Sequence, residues 1–94
     1  MKAELLLRER HQLRPDAFVE LRMWRVPAPV PGSAHAYKYA LAYVVRGRCV
    51  LRYDNEAGKG DHKHVGAREM PYRFVSPARL LADFWSDVDR WRPS

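Results

Sequence analysis

The sequence has one cysteine, Cys49, and no long apolar run. A single cysteine excludes an internal disulfide framework and a four-cysteine zinc site, and it suits a reducing cytoplasm. Cys49 lies in Arg48-Cys49-Val50-Leu51, a strand-like context in which a thiol reads as a small buried hydrophobe rather than a nucleophile. Nothing approaches the roughly 20 consecutive apolar residues of a membrane span, so no membrane association is expected. Met1-Lys2-Ala3-Glu4 leads directly into patterned sequence, so no signal peptide is expected and the chain is expected in the cytoplasm. There are no internal repeats. Acidic residues are the minority: 17 Lys and Arg stand against 11 Asp and Glu, a net charge of +6. Residues 1–52 carry the whole excess, with ten cations and four anions, whereas residues 53–94 hold seven of each. Thirteen of the cations are Arg, which grips phosphate through paired hydrogen bonds, so a polyanionic partner such as RNA fits the balance. The plain alternative is that the Arg content reflects genomic base composition.

What is present is enough for one core. Residues 1–94 read as a single domain, 47% hydrophobic. Ala3, Leu5 and Leu7 alternate with Glu4, Leu6 and Arg8, which predicts a first strand over 2–13 with one mostly apolar face. Leu13-Arg14-Pro15-Asp16 reads as a turn. A second strand follows over 17–26, with Ala17, Val19, Leu21 and Met23 facing one way and Glu20 and Arg22 the other. Trp24, opposite Met23, is either a core residue or an exposed aromatic for base stacking. Pro27, Pro29 and Pro31 make a stiff connector. Residues 35–46 predict a central strand, with Tyr37, Tyr39, Leu41, Tyr43 and Val45 on one face and Lys38, Ala40, Ala42 and Val44 on the other. Both faces are largely apolar, as for a strand covered on both sides, and the small Ala40 and Ala42 would admit a helix. Arg46-Gly47-Arg48 turns the chain into a fourth strand over 49–53, and Tyr72–Val75 reads as a short fifth. Ser76 as N-cap and Pro77 at the first helical position start a helix that ends near Trp91; Leu80, Leu81, Phe84, Val88 and Trp91 form its apolar stripe. The expected fold is therefore α+β: an antiparallel four- to five-stranded sheet with a C-terminal helix packed on one face.

The densest chemistry lies between strand four and the helix, in Tyr53-Asp54-Asn55-Glu56-Ala57-Gly58-Lys59-Gly60-Asp61-His62-Lys63-His64. A phosphate-binding P-loop is excluded, because the glycine spacing and the Ser/Thr after the Lys are missing. Acid–base cleavage of RNA fits better. It needs one group to take the 2′-OH proton, one to protonate the leaving oxygen, and a cation for the charged transition state. In an extended segment His62 and His64 point the same way, about 6–7 Å apart, which can flank a scissile phosphate. The candidate catalytic residues are His62, His64, Glu56, Asp54 and Asp61. The candidate phosphate- and substrate-binding residues are Lys59, Lys63, Tyr53, Arg52, Arg22 and Arg25. A metal site is the competing chemistry, since Asp54, Glu56, Asp61, His62 and His64 contain enough ligands. Two lysines in the same segment oppose a bound cation, so metal-free cleavage ranks first and neither metal nor other cofactor is expected. The bland reading is a solvated polar loop. His11 and His35 read as structural.

These residues resemble the TumE toxin family of bacterial type II toxin–antitoxin modules. The resemblance is carried by Phe18-Val19-Glu20 through Trp24-Arg25-Val26-Pro27, by His35-Ala36-Tyr37-Lys38-Tyr39 and by Arg52-Tyr53-Asp54-Asn55-Glu56. It continues in Gly58-Lys59-Gly60-Asp61-His62-Lys63-His64, Pro71-Tyr72-x-Phe74 and Leu81-x-x-Asp83-Phe84. Lys63 stands where the family usually has Arg, which keeps the charge and loses the bidentate fork. The resemblance implies a toxin neutralised by a cognate antitoxin, typically a helix-turn-helix protein. A metal-free ribonuclease is the leading expectation, with a non-enzymatic module that blocks RNA or a protein through its basic face as the first alternative and a metal-dependent nuclease as the second. Exposed sheet edges would suit a homodimer or strand addition by the antitoxin.

Overall fold

The computed structural model describes residues 2–93; Met1 and Ser94, the ends of the expected domain, lie outside the described residues. The chain forms β1 (Glu4–Arg14), β2 (Ala17–Arg25), β3 (Tyr37–Val45), β4 (Arg48–Asp54), β5 (His62–Val65), β6 (Arg68–Pro71) and α1 (Pro77–Arg90). The six strands make one antiparallel sheet in the order β1-β2-β3-β4-β5-β6, each paired with its chain neighbour.

Alternation decides which face is buried. Val19, Leu21 and Met23 of β2 lie opposite Tyr43, Leu41 and Tyr39 of β3, and Leu41 and Tyr43 lie opposite Tyr53 and Leu51 of β4. All are buried, and Leu80, Phe84 and Val88 of α1 close over them. Phe84 meets the Tyr53 ring edge-on with centroids 5.8 Å apart, and Trp91 meets Tyr43 in the same way. Ser76 caps α1 by accepting from Arg79 N, with Pro77 in the first turn. Burial of that stripe, rather than helix propensity, is what holds a helix of this length in place.

The structure corrects five expectations. The sheet has six strands, not four or five, because residues 62–71 form a hairpin. Gly66 makes this possible by adopting φ 61 at the first position of its two-residue turn, where a side chain is disfavoured. Tyr72–Val75 is not a strand; Tyr72 and Phe74 pack against the core from the irregular segment that leads into α1. The first strand does not keep one apolar face, since a bulge between Leu5 and Leu7 sets Leu5 opposite Trp24 and Leu7 opposite Met23. Among the described residues no helix covers the second face of β3. There Ala40 and Ala42 form a low floor instead of a helix seat, and Cys49, expected to be buried, is exposed.

Candidate functional site on the open sheet face

The uncovered face collects charge by register. Ala40 lies between Arg22 on β2 and Asp54 on β4, and Ala42 lies between Glu20 and Arg52. Beyond them, Arg52 is opposite His64 and Asp54 is opposite His62 on β5, and His64 is opposite Glu69 on β6. On the other flank Arg8 of β1 is opposite Arg22. The result is a shallow trough with an alanine floor. Arg22 and Asp54 stand two strands apart across it, roughly 10 Å. Directly opposed cations destabilise a sheet, and Arg8 has no ion-pair partner among the described residues, so the Arg8–Arg22 wall is a natural anion contact.

At the β4–β5 end the trough holds a compact cluster. Asp54, His62 and His64 each present a ligand-type atom, all within 4.8 Å of one another. Asp54 is 5% exposed and His62 is 4% exposed. Arg52 Nε approaches Asp54 Oδ2 at 2.7 Å, and His62 Nε2 approaches Asp54 Oδ1 at 2.6 Å. The second contact is close but misaligned, so Oδ1 is left without a hydrogen-bond partner. His62 Nδ1 donates to the Gly60 carbonyl at 2.9 Å. The His62 and His64 rings stand edge to face with centroids 5.0 Å apart. The two histidines are therefore not equivalent: His62 is buried and its Nδ1 is tied to the Gly60 carbonyl, while His64 is partly exposed.

The turn before β5 is positioned by the proline connector. Gly58 N donates to the Pro31 carbonyl at 2.7 Å. Gly32 and Gly60 touch backbone to backbone, so closely that a Cβ on Gly32 would come within 2.7 Å of Gly60 N. Asn55, buried, donates to the Tyr37 carbonyl at 2.7 Å and accepts from Tyr39 N at 3.0 Å. Asp61 completes the tie. It accepts from Ser33 Oγ, His35 Nε2 and Tyr39 OH, each at 2.7 Å. His35 Nδ1 accepts from Tyr37 N, which assigns the proton to Nε2. Burial pushes the Asp61 carboxyl upward, but these three hydrogen bonds outweigh it and hold it below the usual carboxylate range. Burial first, and Asp61 second, push the Tyr39 phenol far above its ordinary value.

The remaining expected site residues lie elsewhere. Tyr53 and Lys63 sit on the helix-covered face, where the Tyr53 hydroxyl and Lys63 Nζ both donate to Asp87 of α1. Burial and that bond to Asp87 push the Tyr53 phenol well up. Glu56 and Lys59 are exposed in the turn and face each other at 3.9 Å. Arg25 stands over the Tyr37 ring on the core side of β2, whereas Arg22 is on the open face. Sequence reasoning missed Glu69, whose Oε1 is 3.9 Å from His62 Nε2. Reading Gly66 as a hairpin turn would have set Glu69 opposite His64.

The geometry makes this a charged, partly solvent-open centre on an Arg-lined sheet, able to move protons and to hold an anion or a cation. Comparison with curated proteins and with solved structures finds no match. A family model described as Toxin TumE matches residues 2–92. The chain belongs to the TumE toxin family.

Proposed function

We propose that this chain is the toxin of a type II toxin–antitoxin pair and that it cleaves RNA on its open sheet face. The observation that carries the reading is the coincidence of two features. The Asp54–His62–His64 cluster and the Arg8, Arg22 and Arg52 side of the sheet share the one face that α1 leaves uncovered. Arg52 is half-exposed with Nε against Asp54, which leaves its terminal nitrogens for a phosphate beside the cluster. Trp24, partly buried on the same face next to Lys38, offers a ring for base stacking.

In the cleavage step the ribose 2′-oxygen loses its proton and attacks the adjacent phosphorus. The P–O5′ bond breaks, and the leaving oxygen takes up a proton. The products are a 2′,3′-cyclic phosphate and a 5′-hydroxyl. His64, the more accessible imidazole, is suited to one of these proton transfers. Two chemistries fit the rest of the centre. In the metal-free one, the Asp54–His62 pair handles the second proton and Arg52 offsets the developing charge. In the other, Asp54, His62 and His64 would hold a divalent ion, which would supply Lewis-acid chemistry beside the phosphate. A specific observation favours giving the second equal standing: Lys59 and Lys63, the cations that would oppose such an ion, pair with Glu56 and Asp87 away from the cluster.

The antitoxin partner is expected to cover the trough or to add a strand to the free edge of β1 or β6. No helix of the described residues is long and apolar enough to cross a membrane. The deciding experiment incubates purified protein with total RNA, with and without EDTA, beside a folded His64→Ala variant. Cleavage by wild type that His64→Ala loses supports the proposal. A well-folded wild type that binds RNA but never cuts it, with or without added divalent ions, overturns it in favour of a blocking module.

A further inference from the structure

We infer that Asp54, His62 and His64 bind one divalent first-row transition-metal ion, with zinc the first candidate. The argument starts from His62. Its Nδ1 lies 2.9 Å from the Gly60 carbonyl, and a carbonyl oxygen only accepts, so Nδ1 carries the hydrogen. In the neutral ring Nε2 then presents its lone pair. Asp54 Oδ1, buried and without a hydrogen-bond partner, stands 2.6 Å from Nε2 but off the axis of that lone pair. Two electron-rich atoms at this distance repel unless a positive centre lies between them. A proton on Nε2 would do so only if the N–H pointed at the oxygen, and the pair does not meet hydrogen-bond geometry. The other oxygen of the same carboxylate stands 2.7 Å from Arg52 Nε in an ion pair, while Oδ1 is the oxygen nearest His62. A metal ion accepts from both lone pairs at once.

His64 brings the third donor, with all three atoms within 4.8 Å of one another. The Nδ1–H bond to a backbone carbonyl is the outer-shell contact that metal-binding histidines use to fix their tautomer. Two imidazoles and a carboxylate are a donor set for zinc or iron rather than for magnesium or calcium. On loading, the Asp54 Oδ1 to His62 Nε2 separation would open to about 3.3 Å, the distance between two tetrahedral ligands each held at about 2.0–2.1 Å. The partly exposed side of His64 leaves room for a further ligand, and the exposed carboxylate of Glu69, 3.9 Å from His62 Nε2, is nearest to supply it. This deepens the RNA-cleavage reading but is tested without RNA, so the two can fail separately.

The test uses the full-length protein, stripped with chelator and checked for folding by circular dichroism. Zn²⁺, Co²⁺ and Mg²⁺ are titrated while heat, melting temperature and the visible absorption of Co²⁺ are recorded. The expected result is one equivalent of Zn²⁺ bound, a raised melting temperature, a Co²⁺ spectrum of low coordination number, and no comparable response to Mg²⁺. His64→Ala, which removes a partly exposed ligand, should weaken Zn²⁺ binding by more than about a hundredfold, since even outer-shell losses cost 10–100-fold. Asp54→Asn is the second variant, and His64→Ala decides alone if Asp54→Asn does not fold. A folded wild type that binds no Zn²⁺ or Co²⁺ overturns the inference. So does binding that His64→Ala leaves unchanged, because the ion would then sit elsewhere, for instance on His11, His35 or Cys49. Metal binding without RNA cleavage would leave the site standing and remove the nuclease reading.

Discussion

The two faces of the sheet are built from alternate residues of the same strands, yet they do opposite things. On the covered face the polar groups find partners on the helix. Lys63 and Tyr53 meet Asp87, and Tyr72 meets Asp83, 2.7 Å from hydroxyl to carboxylate. On the open face the matching is incomplete. Arg8 and Arg22 oppose each other, and Asp54 Oδ1 has no hydrogen-bond partner. Unmatched buried or opposed charge costs stability. A fold that keeps it on one face only has somewhere for a ligand to bind. Residues adjacent in sequence, His62, Lys63 and His64, thus divide into two histidines of the cluster and one lysine that pairs with α1.

The comparison breaks most sharply at His64→Ala. If the open face is the working one, growth inhibition should fall by a factor on the order of 10²–10⁴, with the melting temperature little changed. Colony counts at matched expression, beside circular dichroism, check this. Full toxicity in the variant would make the open face an accident of packing.

Phe84→Ala tests the covered face. It empties a fully buried site against Tyr53 and should cost about 3–5 kcal/mol by urea denaturation. Lost toxicity here should track lost folded protein and return at lower temperature. A smaller cost would mean that α1 is not what closes the core.

Asp61→Asn tests the tie between the proline connector and the β5 turn. Losing a part-buried acceptor of three hydrogen bonds should cost about 1–3 kcal/mol near neutral pH. The folded carboxyl is depressed, so its contribution is complete above the unfolded value of about 4 and disappears as pH falls through the folded value. Wild type should therefore lose its advantage over the variant in strong acid. A difference between the two that is independent of pH would assign the tie to packing instead.

Arg22→Ala sharpens the comparison with the smallest change. Stability should move by less than about 0.5 kcal/mol, while the slope of log RNA affinity against log salt should fall by about 1. Lys63→Met should do the reverse, lowering stability slightly and leaving the salt slope alone. An equal effect of both on the slope would mean that phosphate reaches both faces.

Much of this was legible before folding. The alternation of Val19, Leu21 and Met23 and of Tyr39, Leu41 and Tyr43 announced the buried face, and Ser76-Pro77 with the Leu80, Phe84 and Val88 spacing announced the helix. His62 and His64 could be paired because strand period two sends them the same way. The β5–β6 hairpin was not legible, because its short strands carry polar residues and lack the apolar alternation by which strands are recognised. Asp61 looked catalytic by company, and only the distant Ser33, His35 and Tyr39 reveal it as an anchor.

The sequence alone determined the elements that hydrophobic period and capping specify, the basic bias of the first half, and the family to which the motifs point. Those are local or compositional properties, readable within a few residues. Which face stays open, which of the clustered charges meet, and which cations turn away depended on register between strands far apart in the chain. A shift of one residue exchanges the two faces of a strand, so only the packed sheet could decide that Asp54 stands against His62 while Lys63 faces the helix.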